Sequence, residues 1–262
     1  MKNEDTILEV RGLKKAFKGQ VVLDGVDVTF PRKRITAIFG QSGTGKSVLM
    51  KNLIGILDPD EGEILIDGQD VVGMSPDEKR KIRRRLGYLF QDAALFDSMN
   101  VGENIAFPLV EVLNIRDKLK IRRRVSELLE WVQLPGIESK MPGELSGGMR
   151  KRVGLARSLA SEPEIMLFDE PTTGLDPILS DNVHKLIERV NRELGMTCIV
   201  ITHDIAGSFG MADKIAFLHE GRVLAQGEPE SMRCVDHPVL QRFFEFSFGS
   251  EDSEAAKGEE NE

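Results

Sequence analysis

Short apolar runs alternate with amphipathic stretches along most of the chain. Each run ends at a polar or turn residue and is too short for a buried helix, so it predicts a buried β-strand. The runs are residues 35–39, 86–90, 165–168 and 198–202. The stretches 116–132, 147–160 and 179–194 carry apolar residues on one helical face. Strands that alternate with helices predict an α/β fold with a mostly parallel sheet, which binds its ligand at the carboxyl ends of the strands.

The pattern divides the chain into five segments. Short alternating runs before and after residues 35–39 predict a β-rich layer, whereas the part between the second and third core strands is helical in texture. The segments are 7–91, the first part of the core with a β subdomain; 92–162, a helical subdomain; 163–235, the second part of the core, closed by a hairpin; 236–248, an apolar extension; and 249–262, a disordered acidic tail.

The acidic charge is concentrated at one end. Residues 250–262, with six acids and one lysine, carry −5 of the formal net charge of −8. The rest therefore lacks the basic excess that would indicate nucleic acid as a partner. No apolar run is long enough to span a membrane, and the start of the sequence does not resemble a signal peptide. Cys198 and Cys234 form no disulfide pattern, which favours a reducing cytoplasm.

A glycine-rich octapeptide follows the apolar run 35–39. Its residues are Gly40, Gln41, Ser42, Gly43, Thr44, Gly45, Lys46 and Ser47. The spacing fits the phosphate-binding P-loop. Its glycines let backbone N–H groups converge on an anion, Lys46 supplies a charge for the β- and γ-phosphates, and Ser47 offers a hydroxyl to Mg²⁺. Because chance gives such a match in about one chain in a hundred of this length, the octapeptide predicts a nucleotide with Mg²⁺.

Two acids end the run 165–168, and a histidine ends the next run. Asp169 can bind nucleotide-bound Mg²⁺, and Glu170 can polarise an attacking water. Neighbouring side chains on a strand point to opposite sides, so the two acids can have different roles. His203 occupies the equivalent position beside the same cleft. The residues alone leave open a helix-capping role for the acids and a structural role for the histidine.

The stretch 145–149, Leu-Ser-Gly-Gly-Met, opens the amphipathic helix 147–160. Ser146 offers a hydroxyl, and Gly147 and Gly148 expose backbone N–H groups at the positive end of a helix, which predicts a second anion site. One chain with one P-loop does not need two such sites. Two chains arranged head to tail would each cover the other's nucleotide. The alternative interpretation is an ordinary glycine-rich turn into a helix.

Taken in their order along the chain, the motifs resemble those of the ATP-binding subunits of ABC transporters. The resemblance covers residues 7 to about 235. It implies a P-loop NTPase (RecA-like) core with an antiparallel β subdomain and a helical ABC signature subdomain. It also implies an ATPase that binds ATP and Mg²⁺, forms a head-to-tail homodimer and drives a separate integral membrane permease.

The resemblance also implies roles for individual residues. The implied catalytic residues are Lys46, Gln91, Glu170 (the general base) and His203 (the γ-phosphate contact). The implied Mg²⁺ ligands are Ser47, Gln91 and Asp169. The implied nucleotide contacts are Phe17 (which stacks on adenine), residues 40–47, Ser146, Gly147, Gly148 and Asp176 (in the loop that crosses to the other protomer).

One departure from the family pattern narrows the resemblance. Met149 stands where the family usually has glutamine, and with residues 94–101 and 104–109 it resembles the ATPases paired with MCE proteins. These belong to the Mla-type phospholipid transporters of bacterial envelopes. The resemblance implies an MCE-domain partner reached through the permease, and a position on the cytoplasmic face of the inner membrane.

Other functions remain open at this point. The first is an ABC ATPase for another substrate class, such as amino acids, metals or drugs. The second is a non-transport ABC ATPase, which usually carries two cassettes or a long coiled-coil insertion, and this sequence has neither. A P-loop kinase outside the family does not explain residues 145–149.

Two further apolar stretches predict contacts. Residues 93–108 follow Gln91, so we expect them to dock the permease; the competing interpretation buries them inside the helical subdomain. Residues 238–248 are rich in phenylalanine, and we expect them to form a helix that packs on the body or on a second protomer.

Overall fold

The computed structural model describes residues 6–248. The acidic tail predicted at 249–262 lies outside the described residues. Within residues 6–248, no helix is both long enough and apolar enough to cross a membrane. The division into five segments stays a prediction.

Strands and helices alternate along the described residues. In chain order they are β1 (Thr6–Phe17), β2 (Gln20–Pro31), β3 (Ile35–Phe39), α1 (Lys46–Leu53), β4 (Glu61–Ile66), β5 (Gln69–Asp70), α2 (Pro76–Arg83), β6 (Leu86–Leu89), α3 (Val101–Glu111), α4 (Lys118–Trp131), a 3-10 turn (Pro142–Glu144), α5 (Gly147–Leu159), β7 (Ile165–Asp169), α6 (Pro177–Leu194), β8 (Thr197–Ile201), α7 (Ile205–Phe209), β9 (Lys214–His219), β10 (Arg222–Gly227), α8 (Pro229–Arg233) and α9 (Pro238–Phe248).

Two sheets form the framework. The smaller sheet has the order β2-β1-β4-β5 and is antiparallel throughout. The larger has the order β10-β9-β3-β8-β7-β6, and only the β9–β10 hairpin is antiparallel. Apolar side chains of β1, β2 and β4 pack with α1 against one face of the larger sheet. The predicted fold class, a mostly parallel core sheet with an antiparallel β layer, is confirmed.

The helical part covers the other face of the larger sheet. Buried residues of α3, α4 and α5 share one core with residues of β7, β8 and α6. α3 lies in the segment that the pattern predicts to be helical, although the pattern does not mark it as a separate helix, and tertiary packing explains it. Its one buried face completes this core, and Asn100 caps its first turn by accepting a hydrogen bond from the Glu103 N–H.

The strands of the β layer are longer than the pattern indicated. Residues 7–10 are only the start of β1, and the runs 21–23 and 26–30 belong to the single strand β2. Gly25 lies between the two runs with φ +81°, and the strand continues through an irregularity of its pairing there. The glycine therefore marks a local distortion within β2 and not the end of a strand.

The apolar surface predicted at residues 93–108 is smaller than expected. Val101 and Ile105 are fully buried because α3 turns one face inward, and Ala93 is fully buried beside Gly154 of α5. Phe96 remains 41% exposed, and its ring lies 4.8 Å from the ring of Phe107. The competing interpretation, burial inside the helical subdomain, therefore holds for Ala93, Val101 and Ile105. Phe96 and the half-buried Phe107 remain as an aromatic pair at the surface, and docking of the permease stays a prediction.

Asn104 is a polar residue on the buried face of α3. It is buried inside α3, where its side chain accepts from the Phe96 N–H at 2.8 Å and donates to the Met99 carbonyl at 3.0 Å. The side chain therefore satisfies backbone groups of the loop before α3. This fixes the loop that carries Phe96 on the helix behind it.

The last helix packs on the body of the same chain. Leu240 and Phe244 of α9 are buried against α7 and β9, and the Phe243 ring lies 4.6 Å from the ring of Phe217. Phe246 faces outward and is 80% exposed. The expectation that α9 packs within the chain is confirmed for its inner face.

Phe244→Ala is expected to lower the free energy of unfolding by about 3–5 kcal/mol, because it leaves a cavity between α7 and α9. Phe246→Ala is the matched control on the same helix, and its cost should stay within about 0.5 kcal/mol because the ring is already in water. Urea unfolding midpoints of the two variants measure the difference. Equal small shifts would mean that α9 does not pack on the body.

Candidate active site

The carboxyl ends of three adjacent strands meet at one point. Parallel pairing places Ile38 of β3 opposite Ile201 of β8, and Ile201 opposite Asp169 of β7. The residues just beyond this row are Gly40, His203 and Glu170. The register of the sheet therefore brings the three predicted motifs to one edge, as expected for the ligand site of a parallel sheet.

The loop from Gly40 to Gly45 leads from β3 into α1. A Cβ atom at Gly40 would lie 2.3 Å from the Leu218 carbonyl oxygen, and one at Gly45 would lie 2.9 Å from the Val22 carbonyl oxygen. Gly43 and Gly45 have φ of +80° and +101°. Glycine is therefore required for space at both ends of the loop and for left-handed backbone within it. This conformation aims the loop at the N-terminus of α1, where anions bind favourably.

Lys46 begins α1 and is held against the loop backbone. Its Nζ donates to the Gly40 carbonyl at 2.7 Å and to the Gln41 carbonyl at 2.9 Å. Burial lowers the pKa of Lys46, and the nearby carboxylates of Glu170 and Asp169 oppose that shift. A phosphate group is the ligand that would compensate a buried ammonium here. Ser47 follows it and is exposed.

Asp169 has one carboxylate oxygen in use and one free. Its Oδ2 accepts from the hydroxyl of Tyr88 on β6 at 2.8 Å, whereas its Oδ1 is buried without a hydrogen-bond partner. Burial raises the pKa of Asp169, and the Tyr88 hydrogen bond counteracts part of this. An unpartnered buried carboxylate oxygen beside a phosphate loop fits a Mg²⁺ ion or a water bound to it.

Glu170 and His203 form a direct pair. Glu170 Oε2 lies 2.6 Å from His203 Nδ1, and the Thr173 hydroxyl donates to the same oxygen at 3.2 Å. The Glu170 side chain is 15% exposed and that of His203 is 65% exposed. Glu170 lies just beyond β7 with φ +50°. Its different direction from Asp169 comes from this left-handed residue, and not from strand alternation as predicted.

The second predicted anion site lies on the helical side. Ser146 caps α5, and its hydroxyl accepts from the Met149 N–H at 3.3 Å. Asp176 caps α6 in the same manner, accepting from the Leu179 N–H at 3.0 Å. Within residues 6–248, no hydrogen bond connects residues 146–148 to the P-loop. The two predicted anion sites therefore share no hydrogen bond within the described part of one chain.

Two predicted residues lie at the margins of the site. Phe17 ends β1 and is 42% exposed, with Lys15 Nζ 5.7 Å from its ring centre. Gln91 follows β6 and is exposed. Both side chains are accessible to a ligand.

Two further polar residues contact the site and were not predicted. Tyr88 holds Asp169, and Lys151 of α5 donates to the carbonyls of the loop after Glu170. Tyr88 is the one tyrosine of the sequence and stands in an apolar strand, where a hydroxyl needs a hydrogen-bond partner. That observation could have indicated a polar contact at this position. Lys151 stands between two arginines in a basic helix, so nothing in its sequence neighbourhood marks it as a residue that contacts the site.

Comparisons with known proteins agree on the class of protein that the chain is similar to. A sequence profile of the family described as "ABC transporter" matches residues 23–173. The "Intermembrane phospholipid transport system ATP-binding protein MlaF" of Escherichia coli (strain K12) is 38% identical over 239 residues, which is 91% of this chain and 88% of that protein. The "Probable ribonucleotide transport ATP-binding protein mkl" of Mycobacterium leprae is 42% identical over 236 residues, 90% of this chain and 68% of that protein. The chain thus spans about two thirds of the second relative.

Solved structures share the fold. CbiO1 from Clostridium perfringens, described as part of the ABC transporter complex cbiONQ, superposes with a TM-score of 0.80 at 34% identity, over 93% of this chain and 99% of that one. A dimeric post-hydrolysis state of the ATP-binding cassette MJ0796 bound to ADP and Pi gives a TM-score of 0.78 at 30% identity, over 85% and 98%.

Proposed function

The chain belongs to the ABC transporter family and is an ATPase that uses ATP and Mg²⁺; on this premise we propose that it drives a phospholipid transporter of the bacterial envelope. It works as a head-to-tail homodimer on a separate membrane permease. The observation that carries the ATPase part is the Glu170–His203 pair, which lies 2.6 Å apart beside the P-loop.

Glu170 is the general base of the proposed reaction. Its half-buried carboxylate accepts a hydrogen bond from the Thr173 hydroxyl at Oε2, which also lies 2.6 Å from His203 Nδ1, so that the other oxygen is left for the attacking water. Lys46 binds the β- and γ-phosphates, and His203, being more exposed, contacts the γ-phosphate. Phe17 provides an exposed ring for the adenine base.

Asp169, Ser47 and Gln91 are the residues that would hold Mg²⁺. The unpartnered Oδ1 of Asp169 supports this assignment, because Tyr88 already fixes the other oxygen. When bound, Mg²⁺ would neutralise charge on the β- and γ-phosphates. Gln91 leads directly into the loop that carries Phe96 and would report occupancy of the site to that surface.

The head-to-tail dimer would give the second anion site a nucleotide to bind. Ser146, Gly147 and Gly148 form a helix N-terminus that no hydrogen bond links to the chain's own P-loop within the described residues. In a dimer this N-terminus would cover the ATP of the partner, and Asp176 would lie at the same junction. The dimeric state of MJ0796 supports this arrangement.

Phospholipid is the proposed cargo. Relatives named MlaF in Escherichia coli and Haemophilus influenzae are 38% and 40% identical and match 88% and 85% of their own length. The name of the Mycobacterium leprae relative indicates ribonucleotides instead. The MlaF proteins are matched over more of their length, and Met149 and the segment after Gln91 favour the same assignment. An MCE-domain partner reached through the permease, and a position on the cytoplasmic face of the inner membrane, belong to this proposal.

The purified complex with the permease tests the cargo. We expect phospholipid to raise its ATPase rate, and ribonucleosides to leave the rate unchanged. Deletion of the gene should make the cell envelope leaky to detergent. If the chain co-purifies with a permease for sugars, amino acids or metals, the lipid assignment fails and the ATPase assignment stands.

The permease docks on the aromatic pair Phe96 and Phe107. Phe96 lies in the loop before α3, and Phe107 lies on α3 itself and is half-buried. Arg157 of α5 holds the loop, because it donates to the carbonyls of Ala93 and Ala94 at 2.7 Å and its guanidinium lies 5.7 Å from the Phe96 ring. An aromatic pair that is held in place and partly exposed, next to a residue of the nucleotide site, suits a partner's helix.

Phe96→Asp is expected to leave the subunit folded and its basal ATPase intact, but to prevent co-purification with the permease. The reason is that a charge at the centre of an apolar contact must be desolvated without a partner. Leu119→Asp in α4, where the side chain is 76% exposed, is the matched control and should co-purify normally. Retention of the permease by Phe96→Asp would rule out this docking site.

A further inference from the structure

Lys151 is a buried charge that the proposed reaction does not use. It lies on the second turn of α5 and is 7% exposed. Its Nζ donates to the Pro171 carbonyl and to the Thr173 carbonyl, both at 2.7 Å. Burial lowers the pKa of Lys151, and the carboxylates of Asp92 and Glu170 oppose the shift. The ammonium therefore lies near Glu170, the general base, but its two hydrogen bonds go to backbone oxygens.

The two ends of this contact belong to different functional parts. On one side, α5 begins at Ser146, which would face the ATP held by the partner protomer. On the other side, residues 171–173 directly follow Glu170, and the Thr173 hydroxyl donates to the Glu170 carboxylate at 3.2 Å. Lys151 thus links the helix that senses one ATP to the base that acts on the other.

Apolar side chains lie beside the start of α5. A Cβ atom on Gly147 would lie 3.8 Å from the Leu175 side chain, and one on Gly148 would lie 3.7 Å from the Leu179 side chain, both ordinary van der Waals separations. The start of α5 is therefore a neighbour of the segment that leads from Thr173 through Asp176 into α6. The hydrogen bonds of Lys151 to residues 171 and 173 connect the two directly and would pass a displacement of α5 to that segment.

A buried ammonium on two carbonyls is costly if its only purpose is to fill space. An apolar side chain of similar length would avoid the desolvation of the charge. The two carbonyls are in a loop, so the ammonium fixes the loop's position on α5 where no regular secondary structure does. A residue that couples a loop to a helix must hold the two together in this way.

We propose that Lys151 is a positioning residue that couples the two ATP sites of the dimer, by holding the loop of Glu170 on the helix that starts at Ser146. Engagement of Ser146 by the partner's ATP then sets the position of Glu170 in its own site. The inference rests on the proposed head-to-tail dimer.

Lys151→Met keeps the length of the side chain and removes both hydrogen bonds. We expect kcat to fall about tenfold, in the range of measured coupling effects, while the dissociation constant for ATP stays within about twofold. Lys151→Gln keeps an N–H donor and should be intermediate. Arg152→Met, the next residue on α5, is the control for loss of a positive charge and should behave as wild type.

Hydrogen exchange in the Glu170→Gln background separates coupling from a merely structural role. With Lys151 present, addition of ATP and Mg²⁺ should protect both the P-loop and residues 171–176. With Lys151→Met, ATP should still protect the P-loop but not residues 171–176. Three results would overturn the proposal: an unchanged kcat, protection of 171–176 in both chains, or faster exchange throughout Lys151→Met without nucleotide. If Glu170→Gln with Lys151 intact forms no ATP-dependent dimer, the dimer itself fails, whatever Lys151 does.

Discussion

Glu170→Gln is expected to reduce steady-state ATP hydrolysis by about two to four orders of magnitude, the usual contribution of a general base. Gln has the same shape and can keep the hydrogen bonds to His203 and Thr173, but it cannot accept the proton of the attacking water. The contacts of Lys46 to phosphate are untouched, so ATP should still bind. Phosphate release and retained nucleotide, measured on the same preparation, test both halves.

The control for this variant is Glu245→Gln, an exposed carboxylate on α9 that should leave the rate unchanged. Near wild-type turnover by Glu170→Gln would remove Glu170 from the role of base. Loss of ATP binding together with turnover would indicate a collapsed site and would contradict the geometry of the Glu170–His203 pair.

Ser146 is expected to act on the nucleotide of the partner. Ser146→Arg blocks the helix N-terminus that would cover the partner's ATP, and Lys46→Ala disables the P-loop of its own chain. Either variant alone should be inactive, because every site of its dimer carries a defect. In a mixed dimer, the P-loop of the first variant meets the intact Ser146 of the second, so one of the two sites is complete.

Mixing the two variants in equal amounts should therefore restore activity, with about a quarter of all sites complete if the chains pair at random. The measurement is the ATPase rate of the mixture against each variant alone, and Arg152→Met mixed with Lys46→Ala is a positive control. If Ser146→Arg alone hydrolyses ATP at the wild-type rate, the shared site is wrong.

The parts of the site that the sequence predicts are those built from neighbouring residues. The geometry of residues 40–47 is local, because the glycines, Lys46 and the start of α1 all lie within this one octapeptide. Asp169, Glu170 and His203 were predicted because each follows an apolar strand. Parallel strands end at one edge, so position along the chain was enough to place them together.

The parts that the sequence does not predict depend on contacts between distant residues. Tyr88 and Asp169 are 81 positions apart, and only the pairing of β6 with β7 brings them together. Asparagine is a common helix cap, but Asn104 lies inside α3. Its side chain forms hydrogen bonds with the backbone of Phe96 and Met99 instead. The left-handed backbone at Glu170 likewise comes from the turn that follows β7 and not from a glycine.

The same reasoning explains the smaller apolar surface after Gln91. A stretch of apolar residues gives the amount of surface to be covered but not the direction of each side chain. Once α3 forms, its period places Val101 and Ile105 inward and leaves Phe107 beside Phe96. Tertiary packing thus decides which part of the stretch remains for a partner.

Native mass spectrometry of Glu170→Gln in ATP and Mg²⁺ tests the shared ATP sites, because it counts chains and nucleotides in one species. We expect a complex of two chains with two ATP, which disappears when Ser146→Arg is added to the same chain. A single chain with one ATP, unchanged by Ser146→Arg, would contradict the head-to-tail dimer.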